Sequence, residues 1–217
     1  MKHFFYVLVL ALLFKSCNND DELHASGNII HEVRSVKDFT KLNINAGKNI
    51  KVVYSEHSGV TITGSDNLVQ HIRSKVSNGQ LTLDYDQDQI HSEDVEIVIT
   101  VPYFNDLTLN GKRILSTHGT FKQTGYIKIV SHGENDMISA DPFTTGNVDI
   151  DLTGNGNVDF RTLSSQDAKA SITGNGRIYL KTTNSLIGKI KGNGHIYYLG
   201  SPQISSDIKG TGLISSL

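Results

Sequence analysis

Tryptophan is absent from the 217-residue chain, cysteine occurs once, methionine twice and proline three times. A lone cysteine rules out an internal disulfide, so stability in an oxidising compartment must come from packing and hydrogen-bond ladders. No segment sustains a helical apolar period between caps, which removes the all-α classes. No basic run is present either. Formal net charge is −2, and setting aside Lys2 and Lys15 of the leader leaves 18 basic against 22 acidic residues. That balance excludes the basic stripe of a nucleic-acid binder. The nine histidines (His3, His24, His31, His57, His71, His91, His118, His132 and His195) show no zinc-ligand spacing. Gly-x-Ser-x-Gly and phosphate-loop motifs are also missing. Neither a metal nor a cofactor is expected.

What the chain has instead is glycine, 20 residues of it, in a body dominated by isoleucine, valine and threonine. Such a body favours strands. The phrase Thr153-Gly154-Asn155-Gly156 recurs as Thr173-Gly174-Asn175-Gly176, as Lys191-Gly192-Asn193-Gly194 and, more loosely, as Lys209-Gly210-Thr211-Gly212. Leu152, Ile172, Ile190 and Ile208 precede the second glycines by four residues, and Val158, Ile178, Ile196 and Ile214 follow them by two. Gly111 and Gly133 prefigure the phrase. Turn glycines counted as 111, 133, 156, 176, 194 and 212 lie 22, 23, 20, 18 and 18 residues apart. Apolar positions locked to a glycine turn at a period near 20 mark a stacked repeat. The fold expected is all-β, a parallel β-helix or β-solenoid with roughly 18–23 residues per coil, with a β-sandwich as the alternative. Glycine and asparagine suit the corners because both tolerate positive φ. Stacking would set Asn155, Asn175 and Asn193 above one another in an amide ladder.

The N-terminal half is less regular. Leu42–Val52 alternates around Gly47, Val60–Gly64 and Leu81–Tyr85 read as strands, and Val95–Val101 is the most strand-like run, closed by Pro102. Asp66–Ile72 is the one helical candidate, with Asp66 at its start. Asp84–Asp94 reads as an exposed acidic loop.

Met1–Ser16 forms a basic start and an eleven-residue apolar run from Phe4 to Phe14, too short to span a bilayer but suited to a signal peptide. The only cysteine, Cys17, stands at its end and precedes Asn18-Asn19-Asp20-Asp21-Glu22. The segment resembles a bacterial lipoprotein signal, which implies lipidation of Cys17, anchoring to the outer membrane and a periplasmic or cell-surface position. The acidic stretch is similar to tags that direct lipoproteins to the surface. An ordinary secretory leader cleaved elsewhere is the alternative. Domain organisation follows: a signal peptide over 1–16, a lipidated cysteine and flexible tether over 17–26, and one solenoid domain over 27–217. Within it, irregular coils cover 27–104 and regular Gly-Asn-Gly coils 105–217.

The body resembles the putative auto-transporter adhesin, head GIN domain family. The residues that carry the resemblance are Phe39-Thr40-Lys41-Leu42-Asn43-Ile44, Asp66-Asn67-Leu68, Gly79-Gln80-Leu81-Thr82-Leu83 and the Gly-Asn-Gly phrases. It implies a parallel β-solenoid in a secreted or lipid-anchored bacterial protein and carries no catalytic residues.

Candidate chemistry is sparse. Long β-helices include polysaccharide lyases and hydrolases, for which Glu134, Asp136, Asp149, Asp151 and Asp159 are the available carboxylates; alternating charges on a solvent face are their ordinary role. Tyr179 and Tyr197, each three residues after a turn glycine, should stack on one outward face and form the candidate contact surface for a glycan or an envelope protein; cross-strand stabilisation is the competing role. The coil that carries Gly210 and Gly212 has no polar cap after it, which makes a homo-oligomer through the C-terminal coil a further partner candidate. The expectation is a non-enzymatic, adhesin-like envelope lipoprotein. A polysaccharide-cleaving β-helix and a self-associating structural protein are the alternatives.

Overall fold

The computed structural model describes residues 22–217. The expected signal peptide, Cys17 and the first part of the expected tether lie outside the described residues. Strands follow one another almost without interruption: β1 (Leu23–His24), β2 (Ile29–Arg34), β3 (Lys41–Ile44), β4 (Asn49–Tyr54), β5 (Gly59–Ser65), then the single helix α1 (Asp66–Val69). Next come β6 (Ile72–Ser77), β7 (Gln80–Tyr85), β8 (Ile90–His91), β9 (Glu96–Val101), β10 (Asp106–Gly111), β11 (Ile114–His118), β12 (Thr124–Gly133) and β13 (Asp136–Ser139). The chain closes with β14 (Phe143–Gly154), β15 (Asn157–Gly174), β16 (Arg177–Gly192), β17 (His195–Leu199), β18 (Gln203–Lys209) and β19 (Leu213–Ser216).

The parallel solenoid, not the sandwich, is the fold. Two parallel sheets meet at the glycine corner. The first runs β7–β3–β10–β12–β14–β15–β16–β18, each strand in parallel register with the next. The second runs β9–β4–β11–β13–β15–β16–β17–β19. Eight layers at about 4.8 Å make a stack on the order of 34 Å tall. Because β15 and β16 are long, each serves both sheets, bending between them.

Register fixes which glycines are equivalent. Gly111, Gly133, Gly154, Gly174 and Gly192 pair in succession, and the Lys191–Lys209 pair brings Gly210 into line. The coil lengths are therefore 22, 21, 20, 18 and 18 residues. The sequence count had aligned Gly133 with Gly156; the partner of Gly156 is in fact Asn135, whose carbonyl oxygen would lie 2.2 Å from a Cβ on Gly156. It is the first glycine of each phrase that takes positive φ, from +103° at Gly111 to +132° at Gly210.

The early coils depart from chain order. Coil β3–β4 is first in sequence yet lies second in the stack, between the β7–β9 coil and the β10–β11 coil. The segment after β4 turns back, so β5 pairs antiparallel with β9, β2 antiparallel with β5, and β6 antiparallel with β7. These antiparallel strands and α1 cover the N-terminal end of the stack, protecting the edge that a parallel sheet would otherwise expose. The helix is shorter than the sequence suggested, four residues, and Arg34 ends it by donating to the carbonyls of Val69 at 3.1 Å and Ile72 at 2.7 Å. Residues 23–26, expected within a flexible tether, are fixed instead: β1 pairs with β8, and Ser26 Oγ donates to Asp66 at 2.7 Å. The same pairing orders part of the acidic Asp84–Asp94 loop, where Asp94 accepts from Ser65 N at 3.0 Å and Ser65 Oγ at 2.6 Å.

The core is one column per inward position. Leu152, Ile172 and Ile190 are buried in one, Val158, Ile178 and Ile196 in another. Phe104, Phe121 and Phe143 fill the far corner edge-to-face, with centroids 5.0 to 6.0 Å apart. Beside it, buried Thr145, Ser165 and Thr182 donate to backbone carbonyls of neighbouring coils at 2.8 to 3.1 Å, so this polar column is satisfied.

Candidate functional site

The second sheet presents an outward row in which strand pleat and coil register bring together side chains about 20 residues apart. Its centre reads Ile138, Asp159, Tyr179, Tyr197 and Ser215 up the stack. Tyr179 and Tyr197 stack with centroids 4.9 Å apart and planes 15° from parallel. Arg161 covers the other face of Tyr179, its guanidinium carbon 5.2 Å from the ring centroid, a cation–π contact. Asp159 fixes that arginine, accepting from its Nε at 2.8 Å, and raises the Arg161 pKa further through this hydrogen bond. Both faces of Tyr179 are thus occupied. Tyr197 has one face on Tyr179 and the other toward the coil of Ser215. His195 lies beside it, with ring centroids 6.0 Å apart and planes 11° from parallel. The geometry narrows the tyrosine platform to Tyr197, over which lies only Ser215, while Leu213 is the register partner of His195; Tyr179 offers its edge and hydroxyl.

Along the corner, Asn175 Nδ2 donates to Asn155 Oδ1 at 2.9 Å, Asn193 Nδ2 to Asn175 Oδ1 at 3.1 Å, and Thr211 Oγ1 to Asn193 Oδ1 at 2.7 Å. This exposed ladder uses the amides on one another, which leaves the corner a structural element. Gly111, Gly133, Gly154, Gly174, Gly192 and Gly210 are its backbone, and Gly156, Gly176, Gly194 and Gly212 pack too closely against the preceding coil for a side chain.

The carboxylates do not converge. Asp149 and Asp151 sit on the first sheet, where Tyr126 Oη donates to Asp149 at 3.1 Å and Lys169 lies 3.9 Å from it. Partial burial, then Asp149, pushes the Tyr126 hydroxyl up to about 12. Asp136 and Asp159 face outward on the second sheet, and Glu134 pairs with Lys112 at 3.1 Å at the corner between. Among the described residues no group of three histidine, cysteine, aspartate or glutamate side chains could hold a metal ion. What sequence reasoning missed is a nearly buried network at the early corners. Arg113 reaches the carbonyls of Asn45, Gly47 and Asn110 and the carboxylate of Glu93, which in turn accepts from Tyr85 Oη at 2.6 Å. Asn135, fully buried, donates to Leu109 O and His132 O. The visible signal was the broken phrase, Gly111-Lys112-Arg113 and Gly133-Glu134-Asn135, where side chains replace the second glycine.

Residues 38–202 match the sequence profile of the family described as putative auto-transporter adhesin, head GIN domain. The chain belongs to this family. Three solved structures are similar to this head GIN domain protein. A putative adhesin from Bacteroides fragilis NCTC 9343 aligns at 24% identity over 90% of this chain and 100% of its own, with a TM-score of 0.71. A putative adhesin from Parabacteroides merdae ATCC 43184 aligns at 14% identity over 91% and 99%, with a TM-score of 0.58. A putative lipid binding protein from Parabacteroides distasonis ATCC 8503 aligns at 16% identity over 90% and 99%, with a TM-score of 0.55. These similarities establish the fold. No curated protein matches the chain. The family and the similar structures carry adhesin or lipid-binding descriptions rather than enzymatic ones.

Proposed function

We propose that this head GIN domain protein is an exported, lipid-anchored envelope protein that works by surface contact, binding a glycan or a partner protein on the outward row of its second sheet. The observation that carries the reading is the ordered rung of Arg161, Tyr179 and Tyr197, which ends in an aromatic face beside His195 over the short Ser215. A ring with an apolar face continues that stack as its next rung, and aromatic side chains supply such contact at low entropic cost. The scattered, lysine- or asparagine-paired carboxylates favour contact over polysaccharide cleavage. No helix among the described residues is long and apolar enough to cross a membrane. Acyl chains on Cys17 would supply the proposed anchor.

The test is binding of the protein to a glycan array of envelope and host sugars, compared with Tyr197→Ala and Tyr179→Phe. Binding lost in Tyr197→Ala and retained in Tyr179→Phe is expected. Binding indifferent to Tyr197, or polysaccharide cleavage abolished by Asp149→Asn, would sink the reading. Palmitate labelling that persists in Cys17→Ser would refute the anchor.

A further inference from the structure

Charge is sorted along the solenoid. From residue 175 to 217 the chain carries Arg177, Lys181, Lys189, Lys191 and Lys209 against Asp207 alone, a net +4. Residues 22–174 carry 13 basic and 19 acidic side chains, a net −6. Register places all five cations in the three coils at the C-terminal end of the stack, within two layers, or about 10 Å, of its outermost described strands. None of the five takes part in an ion pair among the described residues, whereas Arg161, Lys169 and Lys112 in earlier coils each have a carboxylate partner.

The same end is apolar. Ile204 and Ile208 occupy the inward columns of Leu186 and Ile190, which are buried, yet they are 46% and 40% exposed because no coil among the described residues lies over them. Leu213, Leu217 and Ile187 add exposed apolar surface at the rim. An open core face ringed by unpaired lysines and an arginine has the composition of a surface that seats at a bilayer interface, with apolar groups at the acyl boundary and cations among anionic headgroups.

We infer that the C-terminal end of the solenoid docks on an anionic phospholipid surface. Two other occupants fit less well. A second copy meeting this end face to face would bring two net +4 ends together, and head-to-tail stacking meets the antiparallel strands β2, β5 and β6 over the opposite end. A soluble acidic polysaccharide would satisfy the cations and leave Ile204 and Ile208 in water. The inference goes beyond the glycan-contact reading and rests on different residues, so either can fail alone; the six steps from Cys17 to Leu23 reach at most about 22 Å, so with β1 fixed at the far end the docked surface is a second membrane facing the one that would hold a Cys17 anchor.

The absence of tryptophan makes the test specific. Ile204→Trp places the only indole in the chain on the end face, and Val33→Trp places one on the opposite end, where Val33 is exposed. The full chain carrying each is mixed with vesicles of phosphatidylcholine alone or with one-third phosphatidylglycerol. The expected result is a blue shift of the Ile204→Trp emission with anionic vesicles only and none for Val33→Trp. Adding Lys189→Gln and Lys191→Gln should weaken the vesicle affinity by roughly fivefold per lysine. Equal shifts with both vesicle types, or no shift, would overturn the inference. So would a shift that grows with protein concentration without vesicles, which indicates a second copy, or one produced by polygalacturonate and not by vesicles.

Discussion

Gly174→Ala tests the corner most sharply. Gly174 has φ +127°, a conformation that side-chain-bearing residues rarely adopt, and a Cβ there would lie 2.3 Å from the Gly154 carbonyl oxygen. That oxygen belongs to backbone and accepts from Asn175 N at 3.1 Å and Gly176 N at 3.2 Å, so it cannot move without weakening both bonds. Backbone strain of this kind costs about 1–3 kcal/mol, and each weakened hydrogen bond adds about 0.5–1.5 kcal/mol. The expected loss is therefore about 2–6 kcal/mol. Gly79→Ala is the control: its φ is +72°, and a Cβ there meets nothing within 4 Å, so only the strain applies. Urea unfolding followed by circular dichroism gives both values. A Gly174→Ala loss equal to that of Gly79→Ala, or below about 1 kcal/mol, would show that the coils do not approach as closely as the register requires.

Three further outcomes follow from the same geometry. Arg113→Met should destabilise by about 3–5 kcal/mol, because it strands the nearly buried Glu93 carboxylate and three backbone carbonyls; urea midpoints check this, and pairing it with Glu93→Gln should recover part of the loss. Asn175→Ala should cost about 1 kcal/mol or less, since its two ladder bonds are exposed and water replaces them; a much larger loss in melting experiments would give the ladder a greater share of stability than its exposure allows. Burial and the Asp149 carboxylate push the Tyr126 hydroxyl from 10.0 up to about 12, so the folded state favours its protonated form. Its contribution to stability is complete below pH 10 and is lost as pH rises toward 12. Ultraviolet titration of the protein against Tyr126→Phe should remove one late-titrating phenol, and removal of an ordinary one would contradict the contact with Asp149.

The regular coils were legible because each Gly-Asn-Gly phrase repeats the corner's two demands, positive φ and room for a neighbouring carbonyl. Where Arg113 and Asn135 meet the second demand with side chains, the phrase dissolves, and the spacing count slipped by two residues at Gly133. The position of the β3–β4 coil was not legible at all. Its alternation is as clear as any other, but nothing local says that it stacks between two later coils; that depends on β5 and β6 turning back over the end. The tyrosine pair was visible from its offset to the glycines, while the role of its ring faces depended on Arg161, which only the cross-coil register brings to Tyr179. The cationic end escaped notice because a net charge of −2 for the whole chain hides a cationic last segment behind an acidic remainder.

The proposed contact role of the second sheet is tested most directly by site-specific photocrosslinking on intact envelopes. A photoreactive phenylalanine analogue replaces Tyr197 in one protein and Ser171, on the outward side of the first sheet, in another. Adducts with a glycan or envelope protein from position 197 and none from position 171 are the expected result. Adducts from position 171 alone would place the contact on the other sheet and contradict the proposed function.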